Sequence, residues 1–483
     1  MWQGPTFKWR AARERGPLSF AKTRAVLYNR FTMEKENIDG KAPDAPCVQM
    51  RETADGAAIQ RAIDACWQRG GGTVEIPAGV HRTGGLRLRG NVTLLLRSGA
   101  LLRASRDPAD FDILASDRIE PFPQDQFAPG VYWQPAATRK THDHILKAGS
   151  KWNNAIIRIY RARNARVIGE PGSAIDGCDS YDPRGEELFR GVHGIAAHDC
   201  EGLELRGYEI RNTGNWAHSF WRCRDISFSD LSILGGHDGI HFCSCDRVSI
   251  SGCTMKTGDD CVAGFDNEDV TVSRCDFNTA CSAFRFGGRR VLIEDCRCHG
   301  PGEYPIRNTL PIEDRISGSH GAPGAGRRTM LALFTYYADF SLNIRHTPGD
   351  IAIRRCTLDT SERFLHYNFS GNEVWQKGCP LSSITFSDIE ARNVGMSLCA
   401  YGDPSQPLDL ALERCRISFA PPQGEFIRAA HLSRLTLQDV AVEGVSGPCV
   451  RSWGGVPSPA AARLTGVAPD VEPASVPFST AAI

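Results

Sequence analysis

The stretch GHDGIHFCSCDRVSISGCTMKTGDDCVAG, residues 236–264, repeats itself at a fixed step. Asp260 stands 22 residues after Asp238, and the same step separates Cys223 from Cys245 and Cys253 from Cys275. Continued at that step, the Asp238 column reaches Ser282 and Tyr304, and the His241 column reaches Ala263, Arg285 and Arg307. A repeat near the short end of about 20 to 50 residues, built from short strands, signals a parallel β-helix. Neighbouring strands in such a solenoid lie about 4.8 Å apart, so residues one period apart stack. Asp238, Asp259 and Asp260 are therefore expected on one small patch.

Strand alternation places Ile240, Phe242 and Val262 inside and leaves His241 and Asp259 facing out. Asp238 and Asp260 share the inward parity, so a turn before each strand must redirect them. Gly239 and Gly258 supply such turns, because two unpaired carboxylates in an apolar core would be very costly. Carboxylates this close titrate as a unit, with at least one held protonated beside another that is ionised. That division is what general acid and base catalysis needs. The alternative, that each Asp only caps a solenoid turn, is weakened by three acids falling in register.

Outward from this core, DGAAIQRAIDACWQRGGG from Asp55 predicts a short amphipathic helix through Ile59, Ala62, Ile63, Cys66 and Trp67, capping the first coil. Short strand-like runs follow it, then a long loop over 107–151 and a second over 311–328. Strands resume as IAIRRCTL, SITFSDI, LALERCRI and LTLQDVAV. The expected organisation is an N-terminal extension over 1–45, either disordered or created by a misplaced start ahead of Met33, or a transit peptide. A β-helix over 46–455 and a loose Pro- and Ala-rich tail over 456–483 complete it.

Across 483 residues, 56 Lys plus Arg balance 56 Asp plus Glu, which gives no overall field for nucleic acid. Nowhere do about 18 apolar residues run together, so no membrane span is expected. Eighteen cysteines without a secretory signal point to reduced thiols in the cytoplasm. Their columns read as small buried apolar residues, and their spacing does not suit zinc, so neither metal nor cofactor is expected.

The run from NTGNWAHSFWRC (Asn212 to Cys223) through GHDGIHFCSC to KTGDDCVA resembles the core of the polygalacturonase-type glycoside hydrolases, family 28. DGAAIQRAIDAC, GGGTVEIPAGVHRTGGLRLRGNVTLLL and DPADF resemble its bacterial members. The resemblance covers roughly Asp55 to Gly454. It implies an all-β, right-handed, single-stranded parallel β-helix that hydrolyses pectin-derived glycosides with inversion. By that resemblance Asp259 is the general acid, and Asp238 and Asp260 are the pair that activates water. Three departures stand out. Gly236, His237, Asp238 and Gly239 stand where the family reads Asn-Thr-Asp-Gly, and Ser282 occupies the place of the histidine in its Gly-His-Gly. The Arg-Ile-Lys motif that binds a uronate carboxylate is reduced to EYPIRNT, with Arg307 as its one cation.

His237 and His241 are candidates to compensate for the missing histidine. Arg285 and Arg307 are candidates to grip a carboxylate in bidentate fashion. Trp216, Tyr304, Tyr336, Tyr337 and Tyr367 are candidates to stack on sugar rings, Tyr304 first among them. The expected activity is an exo-acting, inverting hydrolase of galacturonan or rhamnogalacturonan oligosaccharides, with no nucleic-acid or membrane partner. Its competitors are a Ca²⁺-using β-helical polysaccharide lyase or epimerase and a non-catalytic carbohydrate-binding solenoid.

Overall fold

The computed structural model describes residues 47–49, 56–107, 110–111, 153–180, 191–307, 326–338, 345–369, 376 and 379–475. The chain divides into two units, 1–44 and 45–483, and every described residue lies in the second. The N-terminal extension, the Asp55 cap and most of the two long loops fall outside the described residues.

Every strand pairing is parallel, and each coil turns through three faces. On the first face His218–Trp221, Ile240–Cys243 and the start of Val262–Ser273 stack in register, with His218 beside Ile240 and Ile240 beside Val262. On the second, Ile226, Val248, Val270, Val291, Ile351, Ile384 and Leu410 form one continuous buried column. The third face is a separate sheet running from Gly79–Thr83 to Ala441–Val445. The protein is a right-handed parallel β-helix. Burying a side chain such as Phe242 or Ile250 contributes about 1.5–3 kcal/mol, and stacking repeats that gain on every rung.

The helix Gly56–Gln68 covers one end with Ile59, Ala62, Ile63 and Cys66 buried. Trp67 is not on that face: it is 47% exposed, with the Arg89 guanidinium 5.0 Å above its ring. The other end extends beyond the expected boundary at 455. Ala460–Ala462 pairs with Leu432–Gln438, and Val471–Pro473 pairs with Val450–Ser452, so part of the supposed tail is coil. Backbone pairing there needs no strong strand formers, which is why an Ala- and Pro-rich sequence hid it.

The cysteine columns pack as expected. Cys223 and Cys245 are buried and stacked, with the Cys223 amide donating to Cys245 Sγ at 3.4 Å. Among the described residues 17 cysteines are free thiols.

A second device was not anticipated. From Glu201–Arg206 onward the residue following each second-face strand adopts a left-handed backbone, and from Arg274 the charge alternates rung by rung through Asp295, Arg355, Asp388, Arg414, Asp439 and Arg463. Arg355 meets Asp295 at 2.8 Å and Arg414 meets Asp388 at 2.7 Å. Asp225–Arg247 and Asp199–Arg222 are further ion pairs between left-handed residues, at 2.6 and 2.7 Å.

Candidate active site

The acids sit where the third face turns into the first. The Asp238 carbonyl accepts from the Ala217 amide, and the Asp260 carbonyl accepts from the Gly239 amide, both at 2.9 Å; the Ser282 carbonyl accepts from the Cys261 amide at 3.0 Å. Asp238, Asp260 and Ser282 thus occupy one position on three successive rungs. Thr257 Oγ1 and Thr279 Oγ1 both donate to the Asp259 carbonyl, at 2.7 and 2.6 Å, and pin the peptide that sends Asp259 and Asp260 opposite ways. Gly258 permits this turn because a Cβ there would lie 2.0 Å from the Pro305 carbonyl oxygen. At Gly239 a Cβ would lie 2.6 Å from the Cys261 carbonyl.

Asp260 is wholly buried and Asp238 is 3% exposed, while Asp259 is only half-buried. The Ser282 amide donates to Asp260 Oδ1 at 3.0 Å. The other oxygen, Oδ2, has no hydrogen-bond donor among the described residues and lies 3.7 Å from Arg285 Nη1. Burial first, then the negative charges of Asp259 and Asp238, push the Asp260 carboxyl up to about 8 against the pull of Arg285. The cluster therefore retains a proton near neutral pH.

Oxygens of Asp259 and Asp260 and the thiol of Cys281 lie within 4.8 Å of one another. The two acids face opposite ways yet keep an oxygen of each within that distance. Burial and the nearby Asp260 charge push the Cys281 thiol well up, so it stays protonated.

His241 Nδ1 donates to Asp238 Oδ2 at 2.7 Å, and both side chains are 3% exposed. Trp216 stacks flat on the imidazole at 3.7 Å, and Tyr337 meets its edge at 6.3 Å. Arg285 lies over the Tyr337 ring at 4.2 Å. Trp216, expected as a sugar platform, instead walls the histidine. His237 is buried beside the acid turn. Ser282 Oγ is 2.9 Å from Thr335 Oγ1, a partner the sequence did not suggest.

Tyr304 and Arg307 leave the columns assigned to them. Ser282 pairs with Ala332 and Arg285 with Thr335, because the coil lengthens here and the period of 22 ends. Half-buried Tyr304 lies among Lys256, Glu209 and Arg211, toward the third face. Arg307 is buried in an ion pair with Asp179 and packs against the backbone of Gly236. Tyr336 and Tyr367 are core residues whose hydroxyls bond to the backbone of Cys379 and Leu381. The acids, His241 and Arg285 converge; the second arginine does not join them.

Residues 183–280 match the family model described as glycosyl hydrolases family 28. The acid-bearing core is what is similar to family 28. A probable polygalacturonase from Vitis vinifera is 23% identical over 70% of this chain, and the chain spans 65% of that relative's length. A family 28 exopolygalacturonase structure from Yersinia enterocolitica superposes with a TM-score of 0.56 at 15% identity, over 85% of this chain and 75% of that one. PfbA, a surface adhesin of Streptococcus pneumoniae, superposes with a TM-score of 0.52 at 12% identity, over 82% and 88%. At these identities the two structures speak for the β-helix alone. The family 28 match covers the turns carrying Asp238, Asp259 and Asp260 and stops just before Ser282.

Proposed function

We propose that the chain is an inverting glycoside hydrolase that acts on pectin-derived oligosaccharides of galacturonan or rhamnogalacturonan type, from one chain end. The observation that carries this is the convergence of three carboxylates with one protonated near neutrality, beside Arg285. Asp259, the member half-open to the groove, donates a proton to the leaving glycosidic oxygen. Its proton comes from the Asp260 carboxyl, whose oxygen lies within 4.8 Å. Water adds to the anomeric carbon from the opposite face, and its proton passes to Asp238, with Asp260 as its pair. Inversion needs acid and base about 6.5–9.5 Å apart. Asp259 and Asp260 are closer than that, so Asp238, one rung away and held by His241, is the base that leaves space for water.

Arg285 faces the same groove and matches a uronate carboxylate. The 17 free thiols favour a reducing, intracellular compartment, where oligosaccharides rather than polymer are the available substrate. The calcium-dependent alternative is disfavoured because Cys281, a soft donor, is the third ligand-type group beside Asp259 and Asp260.

Product analysis by mass and ultraviolet absorbance, after incubation with galacturonan and rhamnogalacturonan oligosaccharides, tests this directly. Saturated products one sugar shorter, absent with Asp259→Asn, are expected. Ultraviolet-absorbing unsaturated products would replace the hydrolase by a lyase, and random internal cuts would remove the exo mode.

A further inference from the structure

The outward positions beyond the acids continue along the first face as rungs in register. Ser282 is followed by Ala332 and then Arg363, while Arg285 is followed by Thr335, His366, Cys399, Arg428 and Arg451. Most cations on this face already have a carboxylate. Arg428 meets Glu425 at 2.5 Å, Arg451 meets Glu472 at 2.8 Å, and Arg285 lies 3.7 Å from Asp260.

Arg363 is different. It is 9% exposed, yet among the described residues its guanidinium makes neither a hydrogen bond nor an ion pair. Only its backbone is engaged, the amide donating to the Leu331 carbonyl at 2.8 Å and the carbonyl accepting from Ser361 Oγ at 3.0 Å. Nor does its neighbour His366 offset the charge: burial first, then the Arg363 charge, push that imidazole down to about 3 and leave it neutral. Tyr401, 5% exposed, lies close enough to feel the positive charges of Arg428 and Arg363. Its nitrogens keep a solvent-facing edge, and a planar donor fork presented there without an acid suits a carboxylate.

We infer that Arg363 is a second carboxylate-binding site, one that holds an acidic sugar about 14 Å along the groove from Asp260, at three rungs of about 4.8 Å. This rests on the proposed oligosaccharide activity and deepens it. The preferred ligand is an acidic oligosaccharide long enough to reach from the acids to Arg363, with Tyr401 bordering the sugar ring. Arg285 holds one carboxylate beside the acids and Arg363 holds another two rungs beyond Arg285.

Calorimetric binding of oligogalacturonates from dimer to pentamer to full-length Asp259→Asn protein tests the site, with hydrolysis by the unaltered protein measured separately. Longer oligomers should bind about tenfold or more tightly than the dimer, the increment of a charge-assisted pair. Arg363→Gln added to that protein should abolish the length increment and leave dimer affinity unchanged. Methyl-esterified oligomers should show no increment on the protein that retains Arg363, an arm that does not depend on how the variant folds. A length increment that survives both Arg363→Gln and esterification overturns the site while hydrolysis stands. An increment lost in both, without hydrolysis by the unaltered protein, keeps the site and removes the hydrolase. Absence of binding at every length overturns the site.

Discussion

His241 Nδ1 donates to Asp238 Oδ2 across 2.7 Å, and Trp216 covers the imidazole from 3.7 Å away. This imidazole comes from the same coil as the base it holds, while the next rung carries Ser282 at the acid position. His241→Ala should lower kcat about 10- to 100-fold, the worth of a hydrogen bond to a charged group, with KM little changed. His241→Asn, whose amide nitrogen stands where Nδ1 does, should recover part of the loss. Equal losses for both variants, or a loss confined to KM, would reduce His241 to a wall residue.

The three acids share protons, so their removal should not be additive. Asp259→Asn, Asp238→Asn and Asp260→Asn should each lower kcat by about 10²- to 10⁴-fold, the range of general acid–base catalysis. Pairwise combinations should lie far below the product of the single losses, because a broken proton path cannot be broken twice. Multiplicative losses in steady-state kinetics would show that the acids act independently.

Asp260 links the chemistry to stability. Its folded carboxyl is pushed up to about 8 from an ordinary 3.8, mainly by burial. The folded state therefore binds this proton more tightly than the unfolded chain does. That contribution is complete below about pH 4 and is lost as pH rises toward about 8. Asp260→Asn, which cannot ionise, should melt at an increasingly higher temperature than the unaltered protein between pH 4 and 8, with the gap level above. Calorimetric melts across that range check the sign. Curves that stay parallel would mean that Asp260 is ionised throughout.

How much of this was legible follows the coil length. From His218 to Glu294 the period holds near 22, so arithmetic on the sequence placed Asp238, Asp260, Ser282, His241 and Arg285 on their rungs. Past His299 the chain spends an insertion before returning at Ala332, and no count of residues reveals where an insertion rejoins a rung. Tyr304 and Arg307 were misplaced for that reason, and Arg363 could not be seen at all. Trp216 failed differently: an aromatic beside an acid suits a sugar platform or a packing wall equally, and only its stacking on His241 decides. The charge alternation was present in the letters, but it falls after strands whose spacing varies, so it became visible only through register.

That alternation sets a contest between backbone and side chain. A non-glycine residue in the left-handed region is strained by about 1 kcal/mol, which glycine relieves. At Arg222 the fork to Asp199, at 2.7 and 2.9 Å, lies on side chains 14% and 26% exposed, where losing it strands a partly buried carboxylate. Arg222→Gly should therefore cost about 1 kcal/mol net, because a charge-assisted pair in this setting outweighs the relief. The Arg247–Asp225 fork is alike in form, but its side chains are 52% and 44% exposed, and water competes for both. Arg247→Gly should leave the melting temperature unchanged or slightly raised. Valine at either position keeps the backbone strain, adds a branched Cβ and loses the ion pair, so both valine variants should melt below their glycine counterparts. Melting temperatures of the four variants at moderate salt separate the effects, and a destabilised Arg247→Gly would show that the ladder stabilises through its charges rather than tolerating strained turns.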